Sequence, residues 1–275
     1  MEPDVPSGTL IANSGQEYIL PLFKKSQEKP ERPKETLPES IAGIASVLVI
    51  GLFILTFVVQ HFEIPSRSME KTLLVGDHVF VDRLTPLGRG SLGWLLPYRG
   101  LHHGDTAVFL TPNPAEQGMY LVKRIIGLPG DRIRLQNGVV YLNGVRQAEP
   151  YVIRRGDHQM YRDEFPQNIA DASGELAPGW HATLENSIRN GEVVIPPDHY
   201  FAMGDNRDNS ADSRYWGFVP RENIIGRPLV VFWSFDVPEE NGEPKPIGER
   251  ISSFVNVTIH FFSLTRWNRA FRLVR

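Results

Sequence analysis

The sequence predicts a mainly β protein, an antiparallel β-sheet domain preceded by one apolar helix. Three observations point there. Gly (24) and Pro (22) are abundant among 275 residues, which favours a turn-rich β domain over a helical bundle. Short runs of β-forming residues bounded by Gly, Asp and Asn recur from His78 onward. Ile41–Val59 carries no charge over about 19 residues, enough to cross a bilayer as a helix.

Residues 1–40 are polar, dominated by Pro, Glu and Lys from Gln27 on, and cannot bury a core. They predict a disordered tail, in which the apolar island Tyr18-Ile19-Leu20 with Leu22-Phe23 reads as a stray patch. Residues 41–62 predict a transmembrane helix. The apolar run is too long, and too far from the N-terminus, for the core of a cleaved signal peptide, although Ser66-Arg67-Ser68 mimics a small-x-small cleavage site. Lys24, Lys25, Lys29, Arg32 and Lys34 precede the run and only Arg67 and Lys71 closely follow it. The positive-inside bias therefore places the N-terminus in the cytoplasm and the rest, after Phe62, outside a cell membrane crossed once.

Residues 63–250 predict the extracytoplasmic domain. Val79-Phe80-Val81, Ala107–Leu110 and Tyr120–Ile126 read as strands, the last ending in the turn Gly127-Leu128-Pro129-Gly130-Asp131. Arg132–Leu135 and Val139–Leu142 flank Asn137-Gly138, and Asn143-Gly144 follows, so a tight meander is expected. Residues 151–190 are charged, aromatic and without period, and read as an insertion or long loop. Strands resume near Val193–Ile195, Tyr200–Ala202 and Leu229–Phe232. In the C-terminal segment 251–275, Leu264, Trp267, Phe271 and Val274 fall near helical spacing between Arg266, Arg269, Arg272 and Arg275. Such a cationic amphipathic helix would lie in the membrane interface or pack on the domain.

A formal net charge of -3 gives no sign of a nucleic-acid partner. The absence of Cys excludes disulfides and thiolate metal sites, and the eight His show no metal-ligand spacing, so neither a metal nor a cofactor is implied. Gly88-Arg89-Gly90-Ser91-Leu92-Gly93 matches a dinucleotide-binding pattern, but no helix pattern follows it and it reads as a loop.

Ser68 stands just beyond the apolar run. A serine hydroxyl needs a base. No His lies in a recognisable triad motif, though spacing alone leaves open a triad assembled by the fold. The alternative is a lysine made neutral by burial. Ser68-Met69-Glu70-Lys71 matches the S-x-x-K motif of penicillin-binding proteins and serine β-lactamases, but no K-T-G strand accompanies it. Lys123 lies on a strand among Leu121, Val122, Ile125 and Ile126, where its amine can be buried.

Three blocks, in order, resemble the bacterial type I signal peptidases, membrane-bound serine proteases of the Ser–Lys dyad class. They are Ile64-Pro65-Ser66-Arg67-Ser68-Met69 with Thr72-Leu73, Lys123–Asp131, and the run Gly204–Gly217. The resemblance covers the chain from the apolar run to about Phe235. It implies a signal-peptidase-like antiparallel catalytic core with a smaller β cap, roughly 132–197, in a monomer that removes signal peptides from exported preproteins after Ala-x-Ala-like sites. It implies Ser68 as nucleophile, Lys123 as general base, Ser66 in the oxyanion hole and Ser210 holding the amine. Arg124, Asp205, Asp212 and Arg214 would be structural ion-pair residues, and Ile64, Met69, Leu73 and Val122 the floor under the substrate. Lys71 departs from the family, which usually has Pro there. The self-cleaving SOS-response repressors share a similar core but are soluble and bind DNA. A catalytically dead binding protein would have no reason to keep Ser66, Ser68, Lys123 and Ser210 together.

Overall fold

The computed structural model describes residues 36–53, 58–83, 100–172, 175–237, 248, 252 and 259–274. The tail up to residue 35 and the loop 88–93 lie outside the described residues.

Leu37–Phe53 is an α-helix of 17 residues. Glu39 accepts from the backbone N and from Oγ1 of Thr36, both at 2.8 Å, a capping arrangement that starts the helix four residues earlier than expected. At 1.5 Å per residue it is roughly 26 Å long. Among the described residues no helix is long and apolar enough to cross a membrane. The expected helix over 41–62 is also wrong at its far end, because Val59–Glu63 is a strand.

The strands, in chain order, are β1 (Val59–Glu63), β2 (Asp77–Asp82), β3 (Thr106–Leu110), β4 (Tyr120–Gly127), β5 (Arg132–Gln136), β6 (Val139–Leu142), β7 (Val145–Arg146), β8 (Ile188–Arg189), β9 (Glu192–Val194), β10 (His199–Met203), β11 (Val219–Pro220), β12 (Ile224–Ser234) and β13 (Arg272–Leu273). They form two antiparallel sheets. The larger has the order β1-β2-β12-β3-β4-β10-β11, with β13 beside β12, and the smaller β7-β6-β5-β9-β8. β2 shows why the sequence chooses strand. Asp-His-Val-Phe-Val-Asp has period two, so Val79 and Val81 are fully buried while Phe80 stacks on Phe232 on the other face, centroids 4.1 Å apart.

Asn137-Gly138 and Asn143-Gly144 turn β5 into β6 and β6 into β7 with positive φ at all four residues, as two-residue hairpins with this twist require. A third pair of the same kind, Asn190-Gly191, joins β8 to β9. It lies at the end of the stretch 151–190 that was expected to be irregular. That stretch instead holds the helix Trp180–Ser187, and buries Tyr161, Phe165, Trp180 and Leu184 in one cluster with Ile133, Leu135 and Val140 of the smaller sheet. Ile126, Phe201 and Met203 join from β4 and β10, so this cluster seals the smaller sheet onto the larger one. Another cluster, with Ile64, Met69, Leu73, Val79, Val81, Val108 and Val231, lies under the turn that bears Ser68.

The C-terminal amphipathic helix does not form. Phe261–Leu264 is a single helical turn, Trp267–Arg269 a 3-10 turn, and β13 pairs with β12. Two of the arginines that suggested a solvated face, Arg266 and Arg269, have other partners. Arg266 Nη2 donates to the carbonyl of Val75 at 2.7 Å and to that of Phe235, and Arg269 is buried against Asp77. A helix would pull these groups away from acceptors on distant strands.

Candidate active site

The chain from Ile64 to Asp77 forms a closed loop. Ile64 N donates to the Asp77 carbonyl and Gly76 N to the Ile64 carbonyl, both at 2.9 Å. Within it Arg67–Met69 makes a 3-10 turn, and Leu73 N donates to the Met69 carbonyl at 2.8 Å. Met69 and Leu73 are buried in the core below, which fixes Ser68 at the rim with its hydroxyl facing β4.

Lys123 meets it there. Its Nζ donates to Ser68 Oγ at 2.6 Å, across 55 positions of sequence, and Lys123 is only 4% exposed. Burial pushes the Lys123 amine from its ordinary 10.5 down to about 8. The Asp212 carboxylate opposes that shift and the Arg214 guanidinium adds to it. Ser66 Oγ lies 3.3 Å from Ser68 Oγ, within reach of an oxygen bound to the same centre. Ser210 reaches the cleft without the contact expected of it. Its Oγ is buried and has no hydrogen-bond partner. It packs against Gly204, where a Cβ would come within 2.3 Å of Ser210 Oγ and 2.6 Å of the Ser68 carbonyl. Only glycine at 204 lets that loop come so close to the nucleophile's turn.

The four residues expected to form ion pairs do so as Arg124 with Asp205 and Arg214 with Asp212. Arg124 donates to Asp205 through Nε at 2.8 Å and Nη2 at 2.7 Å. Arg214 donates to Asp212 through Nε and Nη2, both at 2.8 Å, with both side chains wholly buried. Sequence reading missed two partners of the first pair. Thr72 Oγ1 accepts from Arg124 Nη2 at 3.1 Å and donates to Asp205, and the Tyr151 ring stacks under the guanidinium at 3.9 Å. Thr72 could have been found, since it lies in the block already singled out, whereas nothing local marks Tyr151.

Lys71 takes no part in this cluster. It is exposed, has φ +85°, and donates to the Pro150 carbonyl.

A cavity of about 540 Å³ opens beside Ser68, Lys123 and Ser210. Ile64, Met69 and Val122 line it as expected. Leu73 does not, being fully buried one layer below. One wall is backbone available for pairing. β10 joins β4 only from Arg124 on, so the start of β4 has no strand partner on that side among the described residues.

The model of the family described as signal peptidase, peptidase S26, matches residues 37–233. A signal peptidase I of Leptolyngbya laminosa is 33% identical over 238 residues, covering 84% of this chain and 98% of the relative. The signal peptidase I of Pseudomonas aeruginosa is 34% identical over 215 residues, 72% and 73% of the two chains, and that of Buchnera aphidicola 30% over 278 residues, 82% and 84%.

Proposed function

The chain belongs to the signal peptidase family, peptidase S26, and is a serine endopeptidase that removes signal peptides from preproteins; on that premise we propose that Ser68 is its nucleophile and Lys123 its general base. The observation that carries this is the buried 2.6 Å contact between Lys123 Nζ and Ser68 Oγ. The neutral amine takes the Ser68 proton as Oγ bonds to the scissile carbonyl carbon. The C–N bond then breaks, and the ammonium of Lys123 protonates the departing amine, the new N-terminus of the exported protein. The signal peptide is left as an ester on Ser68. Lys123, neutral again, deprotonates a water that attacks the ester, and the released Ser68 oxygen recovers the proton. Ser66 Oγ, with the backbone N–H of Ser68, would hold the oxyanion, each such donor being worth about 3 kcal/mol in the transition state.

An extended substrate would add as a strand along Tyr120–Val122, sending residues -1 and -3 to one face and -2 away. Ile64, Met69 and Val122 form that floor, and the buried Leu73 beneath it supports them. A shallow apolar floor takes Ala-sized side chains, which supports an Ala-x-Ala preference. With a purified preprotein, the native enzyme is expected to release the mature chain and Ser68→Ala to release none. An Ala→Phe change at -1 of the substrate should stop cleavage by the native enzyme. Processing by Ser68→Ala would end the nucleophile assignment, and normal processing of the Phe substrate would end the shallow floor.

The membrane reading rests on the helix Leu37–Phe53 and its flanks. Its Ile, Leu and Val side chains are exposed on all sides, as in a helix meant for lipid, and the basic residues cluster before it. Residues 54–57, outside the described residues, carry four more positions of the uncharged run. At the other end of the chain Phe262, Trp267 and Phe271 are exposed, with Phe262 and Trp267 stacked on each other, which suits a membrane interface. Sealed cells treated with an external protease should lose the domain after residue 62 and retain the N-terminal tail. Protection of the domain would reverse the orientation.

A further inference from the structure

We infer that Arg269, from the C-terminal segment, is a positioning residue for the nucleophile's turn. The inference rests on Ser68 as nucleophile and adds a residue from outside the three recognised blocks.

Arg269 is 6% exposed and Asp77 is wholly buried. Nε of Arg269 donates to Asp77 Oδ1 at 2.9 Å, and Nη2 donates to Asp77 Oδ2 and, at 3.1 Å, to the Thr72 carbonyl. Asp77 in turn accepts from Leu74 N at 2.8 Å and from Ser234 Oγ at 2.7 Å. One guanidinium therefore holds both the middle and the end of the loop that carries Ser68. Thr72 is gripped twice, through its hydroxyl by Arg124 and Asp205 and through its carbonyl by Arg269. Its backbone N donates to the Met69 carbonyl at 3.1 Å, one residue from the nucleophile. Arg266 adds a parallel tie, from Nη2 to the Val75 carbonyl.

The planar fork of an arginine can bond a carboxylate and a carbonyl at once, which a lysine amine cannot do in this geometry. Loss of the fork frees the loop between Met69 and Asp77. Ser68 is bonded to Lys123 at its hydroxyl and, through the carbonyl, to Asn206 N at 3.0 Å. A small drift of the loop then lengthens the proton-transfer distance, to which the chemical step is far more sensitive than substrate binding is. The cavity floor moves less, since Val122 lies on β4 and Ile64 and Met69 are packed into the core with Val79, Val81, Val108 and Val231.

The test uses the full chain in detergent with a peptide spanning a signal-peptide cleavage site. Arg269→Gln is expected to lower kcat at least tenfold with KM within twofold of native, and Arg269→Lys to recover part of the loss. Ser234→Ala removes one donor to Asp77 without stranding a buried charge. It should lower kcat severalfold while the urea midpoint barely moves. Leu184→Ala, in the core of the smaller sheet, serves as a control that loses stability but keeps kcat. A kcat per folded molecule in Arg269→Lys and Ser234→Ala equal to native would overturn the inference, as would a loss carried by KM alone. Ser68→Ala in the same assay separates the two ideas. If it is inactive while the Arg269 variants keep native kcat, the inference fails and the dyad stands; if it is active, the dyad fails.

Discussion

Lys123→Met should be inactive and yet more stable than the native protein. The amine is the proton acceptor, and removing a base of this kind lowers kcat by about four orders of magnitude or more. Lys71→Ala is the matched control and should stay within twofold of native, because Lys71 is tied to the Pro150 carbonyl and not to Ser68. Activity lost in the Lys71 variant and kept in the Lys123 variant would exchange the two roles. The native pH profile follows from the same burial. Only the neutral amine can act, so kcat/KM should climb tenfold per pH unit below about 8 and level off above it. The stability consequence runs the same way. Between about 8 and 10.5 the unfolded chain binds a proton that the folded amine has lost, so native stability rises with pH through that window. Below about 8 the folded protein carries a buried ammonium at a cost of about 3 kcal/mol. A methionine of similar length removes the cost, and urea unfolding at pH 7 should show a gain of about 2–3 kcal/mol. The gain should shrink toward zero as the pH nears 10.5. A variant less stable than native at pH 7 would mean that Lys123 is not held at a desolvation cost.

What the sequence reveals of this site is uneven, for physical reasons. Ser68 and Lys123, or Arg124 and Asp205, lie far apart in the chain but in blocks whose residue types leave few alternatives. Asn137-Gly138 and Asn143-Gly144 announce their hairpins because few dipeptides tolerate two positive φ values. Asn190-Gly191 carried the same signal, and was hidden only by the charged, aromatic stretch before it. The C-terminal arginines misled for a different reason. Residues 266, 269 and 272 have the spacing of a helix face, but Arg269 is committed to Asp77, 192 positions away. Periodicity reports only local geometry, and a strong distant acceptor overrides it. Ser210 shows the reverse. Its block places it correctly beside Ser68 and Gly204, while the direction of a hydroxyl is set by a balance of weak bonds that no motif encodes.

Asp212→Ala should be the most damaging single change to the fold. Arg214 is wholly buried, and Asp212 is the carboxylate that answers its charge. Asp212 also accepts from Gly204 N at 3.1 Å and Arg214 N at 3.3 Å, so it shapes the loop that carries Ser210. Through Arg214 the loss spreads to the smaller sheet, since Trp180 Nε1 donates to the Arg214 carbonyl at 2.9 Å and Tyr161 OH donates to it as well. Stranding a buried guanidinium costs about 3–5 kcal/mol, a large part of the stability of a domain this size. Asp212→Asn keeps an acceptor for the loop but not the charge, and should fall between Ala and native. It also has a catalytic signature that a purely structural residue would lack. The Asp212 carboxylate is the strongest of the charges, with Glu116 and Asp205 behind it, that hold the Lys123 amine up against desolvation. Without it the amine loses its proton more easily, so the midpoint of the kcat/KM profile should move to lower pH in the molecules that still fold. Urea unfolding within about 1 kcal/mol of native for Asp212→Ala would refute the structural half of this account. An unmoved pH midpoint in Asp212→Asn would refute the electrostatic half.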